Sequence, residues 1–219
     1  MPDFEVPPSA NASTSDDPHQ ITSEAALEVL YQTPVQNSIS KEIDHLNQPY
    51  RAWVESSPFA ILATSGPEGL DASPRGDEPG FVRIIDDRTL ALPDRRGNNR
   101  LDSLRNVVRD PRVALLFMIP GCAETLRVNG QATITTEPEL LASFAVKGKE
   151  PATVMLVKID SVYFQCGRAL LRSALWDPTK QPERSTIPSP GEMLKATVKD
   201  FDGDSYDKAL PTRQRDTLY

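Results

Sequence analysis

Arg95, Arg96, Gly97, Asn98, Asn99 and Arg100 place three guanidinium groups within six residues, around a glycine and two amides. The chemistry this offers is anion binding. Each guanidinium presents forked N–H donors that match phosphate oxygens. The run leaves an expected strand, Thr89 to Leu92, and opens an expected helix, Leu101 to Arg109, whose free N–H groups add positive potential. The chain carries a formal charge of −7 over 219 residues, so a local knot of arginines needs a reason. Taken alone, the knot fits a phosphate site and a solvated charged turn about equally. Asn98 or Asn99 is placed to cap the helix. Capping and phosphate contact are compatible, because both use the helix start.

Other residues offer weaker chemistry. Pro74-Arg75-Gly76-Asp77 is an abrupt turn after a strand, where function often sits; Arg75 is otherwise a strand-edge residue. Arg127 alternates with Leu126 and Val128, so it either lines a cleft or pairs with a carboxylate such as Glu124. Arg172 and Trp176 follow the apolar Ala169, Leu170 and Leu171, where a tryptophan more often anchors a core or interface than stacks on a ligand ring. Cys166, beside Gly167, reads as a buried small residue. The two cysteines and two histidines are too scattered for a zinc site. No nucleophile-elbow, Walker or dinucleotide fingerprint is present.

Composition sets the frame. A net negative chain is a poor binder of nucleic acid or anionic membrane. No apolar run is long enough to span a bilayer, and Met1 to Gln20 has neither a basic start nor an apolar h-region. Two cysteines suggest no disulfide framework and suit a reducing compartment, so the expected location is cytoplasmic. Many of the 20 prolines crowd the two ends. Residues 1–20 read as a disordered arm, residues 21–178 as the folded domain, and residues 179–219 as a Pro-rich extension with one short helix, Gly191 to Lys199. The end of that extension, Leu218 and Tyr219, either packs over a partner subunit or hangs loose.

The elements that must position these residues follow from periodicity. Ser23 to Tyr31 and Ser40 to Glu55 have helical spacing, with Pro49 expected to kink or split the second. The period then changes. Phe59 to Thr64 suits a buried strand, Gly66-Pro67-Glu68-Gly69 is a turn signal, and Leu70 to Ser73 would pair back. Phe81 to Asp86, Val113 to Ile119, Leu126 to Thr135 and Val154 to Gln165 are further strands, with Gly130 marking a bulge or close backbone contact. A helix is expected at Glu137 to Val146. Many strands with short turns and small helices give a mainly β, α+β chain built as an antiparallel barrel.

At this point the residues resemble a known family. Arg95 through Arg100, then Leu101 to Asp110, then Pro111-Arg112-Val113-Ala114-Leu115-Leu116-Phe117, are similar to the strand, basic turn, short helix and strand of the pyridoxamine 5'-phosphate oxidase-like split barrels. Arg127-Val128-Asn129-Gly130 matches the motif on that family's next strand. Ser73-Pro74-Arg75-Gly76-Asp77 and Arg172-Ser173-Ala174-Leu175-Trp176-Asp177-Pro178 look like one bacterial branch labelled only as FMN-binding. The resemblance implies a Greek-key split β-barrel acting as a homodimer, with FMN in clefts between subunits. It implies that Arg100 contacts the phosphate, with Asn98, Asn99, Arg95 and Arg96 in the same turn. Ser73 and Arg75 would flank the cofactor, Arg127 would lie on the following strand, and Arg172 and Trp176 would approach from the partner subunit.

The strand and chain ending typical of true pyridoxamine-phosphate oxidases are not found cleanly. The implied function is therefore an FMN-dependent oxidoreductase acting on some other small molecule. The alternatives are a flavin-binding or redox-sensing module without turnover, and a relative that binds haem or a deazaflavin coenzyme.

Overall fold

The computed structural model describes residue 17 and residues 19–219. The expected disordered arm thus lies mostly outside the described residues. Contacts divide the chain into two units, residues 1–39 and 40–219. In the first, helix α1 (Glu24–Glu28) is shorter than its periodicity suggests, and Ser23 caps it by accepting from the Ala26 N–H. Helix α2 (Gln36–Ser40) ends at the boundary.

The second unit opens with helix α3 (Gln48–Ser56). The expected helix over 40–55 is corrected here: Pro49 does not kink it but starts it. Proline has no N–H to lose in a first turn and its φ is already helical. Asn47 supplies the cap by accepting from the Tyr50 N–H at 3.0 Å.

Seven strands follow: β1 (Phe59–Gly66), β2 (Gly69–Gly76), β3 (Arg83–Asp86), β4 (Thr89–Pro93), β5 (Arg112–Met118), β6 (Thr125–Thr135) and β7 (Val154–Gln165). They form one antiparallel sheet in the order β2-β1-β5-β6-β7-β4-β3. Strands β5, β6 and β7 are consecutive neighbours, and β4, which precedes them, returns beside β7. That is a Greek key. Alternating burial along β1 and β5 sends Ala60, Leu62, Val113, Leu115 and Phe117 inward. They share one core with Leu90, Leu92, Val128, Val157 and Val162 from the other strands and with Tyr50 and Val54 of α3. The fold is the α+β split barrel expected.

Two turns behave as their residues require. Gly66 and Gly69 pair across the β1–β2 hairpin, and Gly69 sits at φ 125, open to glycine and strained for other residues. The β6–β7 register shifts between Asn129 and Gly130. A Cβ at Gly130 would lie 2.1 Å from the Lys158 carbonyl oxygen, so the bulge and the close approach have one cause.

Helix α4 (Asp102–Arg109) links β4 to β5, and α5 (Pro138–Ser143) links β6 to β7. After β7 come α6 (Arg168–Ser173), two short 3-10 turns, α7 (Pro190–Thr197) and α8 (Gly203–Asp216). The extension therefore holds two helices where one was expected. Pro211 stands inside α8, which is why periodicity and proline placement hid it.

Candidate functional site

One cavity of about 730 Å³ opens beside the arginine turn. Its walls come from three places: the end of β2 (71–76), the turn and first residues of α4 (93–104), and residues 149–152 together with Tyr219. Seven of the ten expected site residues line it: Ser73, Arg75, Arg95, Arg96, Asn98, Asn99 and Arg100.

The turn is shaped by backbone conformation. Asn99 and Leu101 both have left-handed φ, 59° and 62°. The first is common for asparagine; the second is unusual for leucine. Leu101, not Asn98 or Asn99, precedes the first helical residue, and no side chain caps α4. The expected asparagine cap is thereby corrected: Asn98 Oδ1 instead accepts from the Arg100 N–H at 3.1 Å, folding the turn onto itself.

The three arginines of the turn have different partners. Arg95 Nε donates to Asp77 Oδ2 at 2.8 Å and its Nη1 donates to the Phe144 carbonyl at 2.8 Å. Its charge is taken. Arg100 donates to Asp102 Oδ2 at 2.8 Å, yet stays 73 % exposed, so its remaining donors face solvent. Arg96 is exposed and makes no ion pair among the described residues.

Arg75 is held differently. Its Nη1 donates to Ser73 Oγ at 2.5 Å and to the Pro74 carbonyl at 3.0 Å, and its Nη2 donates to Ser103 Oγ at 3.1 Å. Ser103 in turn donates to Asp71 Oδ2 at 2.5 Å. These partners orient the guanidinium through hydroxyl and carbonyl oxygens, so its charge has no carboxylate in direct contact. The same chain ties α4 to β2. Deeper along α4, Asn106 Nδ2 donates to Thr64 Oγ1 at 3.1 Å over Gly66, where a Cβ would collide with the amide. The N-terminus of α4 is thus fixed against the sheet at the cavity.

Three further residues line the cavity: Asp94 and Lys149, which gave no signal in the sequence, and Tyr219, which was expected to pack over a partner subunit or hang loose. Burial pushes the Asp94 carboxyl above its ordinary range, and the nearby Arg75 charge pulls it back only in part. Lys149 Nζ donates to the Tyr219 main-chain oxygen at 2.6 Å. The Tyr219 hydroxyl donates to Asp77 Oδ1 at 2.6 Å. Burial would raise the Asp77 carboxyl; hydrogen bonds from Tyr219 and the Glu78 N–H, with the charge of Arg95, outweigh that and hold it low. Topology alone brings Tyr219 to Asp77, so no local pattern could have shown it.

The other three expected site residues lie elsewhere in the chain. Arg127 pairs with a tyrosine and not with Glu124: its Nη1 donates to the Tyr163 hydroxyl at 3.1 Å across the β6–β7 ladder. Trp176 Nε1 donates to the Cys122 carbonyl at 2.7 Å, pinning the chain after α6 to the turn before β6. Arg172 is exposed in the last turn of α6. Cys166 is exposed, correcting its reading as a buried residue. It follows the last residue of β7, where the ladder no longer covers it.

Residues 46–166 match the family model described as pyridoxamine 5'-phosphate oxidase, which spans more than half of the chain. The chain belongs to this family. No curated protein matches it. Similar solved structures include HupZ from Group A Streptococcus, at 16% identity over 53% of this chain and 91% of that one, with a TM-score of 0.44. An FMN-binding protein from Syntrophomonas wolfei shares 13% identity over 53% of this chain and 83% of that one, TM-score 0.42. General Stress Protein 26 from Bacillus anthracis shares 14% identity over 52% of this chain and 88% of that one, TM-score 0.40. Among the described residues no helix is long and apolar enough to cross a membrane, and no cluster of His, Cys, Asp or Glu is arranged to hold a metal.

Proposed function

We propose that the chain is a flavoprotein that binds FMN in the arginine-lined cavity and serves as an oxidoreductase on a small molecule other than pyridoxamine phosphate. The observation that carries this reading is the convergence of Arg75, Arg96 and Arg100 on one cavity with their donors or charge uncommitted. Their chemistry fits a phosphate: forked donors approach from β2 and from the turn, and the uncapped start of α4 adds N–H groups. Arg95 orders the turn through Asp77 and is not itself a phosphate ligand. Bound FMN would supply the electron-transfer chemistry, which explains why no acid–base dyad stands out among the protein's own groups. The protein's residues bind, orient and shield.

The reading includes a homodimer. Phe164, Leu171 and Leu175 are exposed apolar side chains near Arg127 and on or after α6. In the proposed dimer a second copy covers them, and Arg127, Arg172 and Trp176 contribute to the partner's cavity as the family resemblance implies.

The test is direct. Protein purified from its host should be yellow, with a flavin absorption band, and release FMN on denaturation. Colourless protein that ignores added FMN in calorimetry rejects the reading. Reduction of the bound flavin by NADH or NADPH and its reoxidation separates an enzyme from a flavin carrier.

A further inference from the structure

Residues 181–219 leave the barrel and return to it through one side chain. Helices α7 and α8 pack backbone to backbone: a Cβ on Gly191 would sit 2.2 Å from the Gly203 oxygen. Asp207 accepts from the Gly191 N–H at 2.8 Å and from the Ser189 hydroxyl, which locks the pair. Among the described residues, the hydrogen bonds and cation–π contacts between residues 181–219 and the barrel are all made by Tyr219.

Tyr219 meets the residues that anchor the arginine turn. Its hydroxyl donates to Asp77 Oδ1 at 2.6 Å, and its main-chain oxygen accepts from Lys149 Nζ at 2.6 Å. Its ring lies 5.9 Å from the Arg95 guanidinium and 5.2 Å from the Lys147 ammonium, within the range of cation–π attraction. Asp77 is the carboxylate that holds Arg95, with Oδ2 accepting from Nε at 2.8 Å. Its Oδ1 accepts from the Glu78 N–H at 2.9 Å as well as from Tyr219. The Asp77 side chain is almost wholly buried, so a missing donor is not replaced freely by water. Without the Tyr219 hydroxyl, Oδ1 keeps only the bond from its own neighbour, which ties the carboxylate to no other part of the fold.

The turn depends on that tie. Between Arg95 and Ser103 its side-chain hydrogen bonds are internal: Asn98 accepts from the Arg100 N–H, and Arg100 donates to Asp102. Leu101 holds a left-handed φ of 62°, which a leucine adopts only where its surroundings impose it. The segment is thus slung between two anchors, Arg95 on Asp77 at one end and Ser103 on Asp71 at the other. Arg96 and Arg100 hang between them.

We propose that Tyr219 is a positioning residue for the anion site: through Asp77 it fixes Arg95, and through Arg95 it fixes the turn that presents Arg96 and Arg100. In this role it touches no ligand. The proposal rests on the flavin reading above for the identity of the anion.

The experiment is calorimetric titration of the full chain, Tyr219→Phe, Arg95→Ala and the double variant with FMN, riboflavin and sulfate. Tyr219→Phe keeps the ring and removes only the bond to Asp77. It should weaken FMN and sulfate binding by about fivefold or more, the scale of one hydrogen bond to a charged group. Riboflavin, which carries no anionic group, should bind as before. Arg95→Ala should weaken FMN and sulfate binding too, and adding Tyr219→Phe to it should cost nothing further, because the two act in series. A general loosening of the fold would lower riboflavin binding equally and would persist with Arg95 gone, and either result overturns the proposal. Unchanged FMN and sulfate affinity in Tyr219→Phe also overturns it and leaves the flavin reading intact. A full chain that binds no flavin defeats the flavin reading, and sulfate then decides alone: weaker binding in Tyr219→Phe upholds the coupling, and equal or absent binding overturns it.

Discussion

Arg95 and Asp77 form an ion pair with Nε–Oδ2 at 2.8 Å, and both side chains are largely buried, 19 % and 5 % exposed. The pair divides the arginine cluster into one residue committed to a buried partner and others left exposed. Arg95 also reaches the Phe144 carbonyl, so its removal leaves a carboxylate and a carbonyl short of donors. Arg95→Ala should lower stability by about 1–2 kcal/mol, the scale of a charge-assisted hydrogen bond at a partly solvated site. Urea unfolding measures it. An unchanged midpoint would mean that the pair does not order the turn.

Arg96 and Arg100 are expected to behave in the opposite way. Both are exposed, and neither supports a buried partner. Arg96→Ala and Arg100→Ala should leave the melting temperature unchanged and weaken FMN binding by about tenfold or more each, as lost charge-assisted hydrogen bonds to phosphate do. Riboflavin, which lacks the phosphate, should bind parent and variants alike. If riboflavin binding falls as much as FMN binding, the arginines are not phosphate ligands.

The contrast between Arg95 and its neighbours also marks what the sequence could and could not show. The cluster was legible because guanidiniums crowded on an acidic chain are a local pattern. The strands were legible because burial alternates along them, and β7 was read with both ends correct. Which arginine is structural was not legible, since that depends on Asp77 arriving from β2 and Phe144 from α5. Asp94 was missed for the same reason, and Tyr219, expected on a partner subunit or loose, was found on Asp77 of its own chain: both placements come from topology, not spacing. Pro49 misled because one residue type both breaks a helix interior and starts a helix, and only the Asn47 cap distinguishes the two.

Gly130 gives a test of the barrel itself. Its position opposite the Lys158 carbonyl leaves no room for a Cβ at 2.1 Å, and main chain cannot yield as a flexible side chain does. Gly130→Ala should cost about 3 kcal/mol, at the upper end for overpacking, because the bulge that aligns β6 with β7 must shift. Loss of less than about 0.5 kcal/mol in denaturant unfolding, the range of neutral surface changes, would show that the close approach relaxes freely.

Asp94 supplies a pH test that separates burial from ligand chemistry. Its carboxyl is raised from the ordinary value of 3.8, by burial first, with Arg75 opposing. A group raised in the folded state contributes stability that is fully present below its unfolded value and is lost as pH rises through its folded value. The ionised carboxylate is therefore unfavourable at neutral pH. Asp94→Asn should be more stable than the parent there, with the gap closing on acidification below the ordinary carboxylate range. The cavity adds a second readout. A negative Asp94 opposes any bound anion, so anion affinity in the parent should rise as Asp94 takes up its proton. Sulfate is the suitable probe, because its own charge stays constant across that window while a phosphate monoester titrates within it. Asp71, Asp102 and Glu150 also line the cavity, and comparison of parent with Asp94→Asn cancels their contribution. The variant should bind sulfate more tightly at neutral pH and with a weaker pH dependence. Parallel pH profiles in parent and variant would place the Asp94 charge outside the reach of the bound anion, and would require the phosphate to sit at the outer end of the turn, on Arg96 and Arg100 alone.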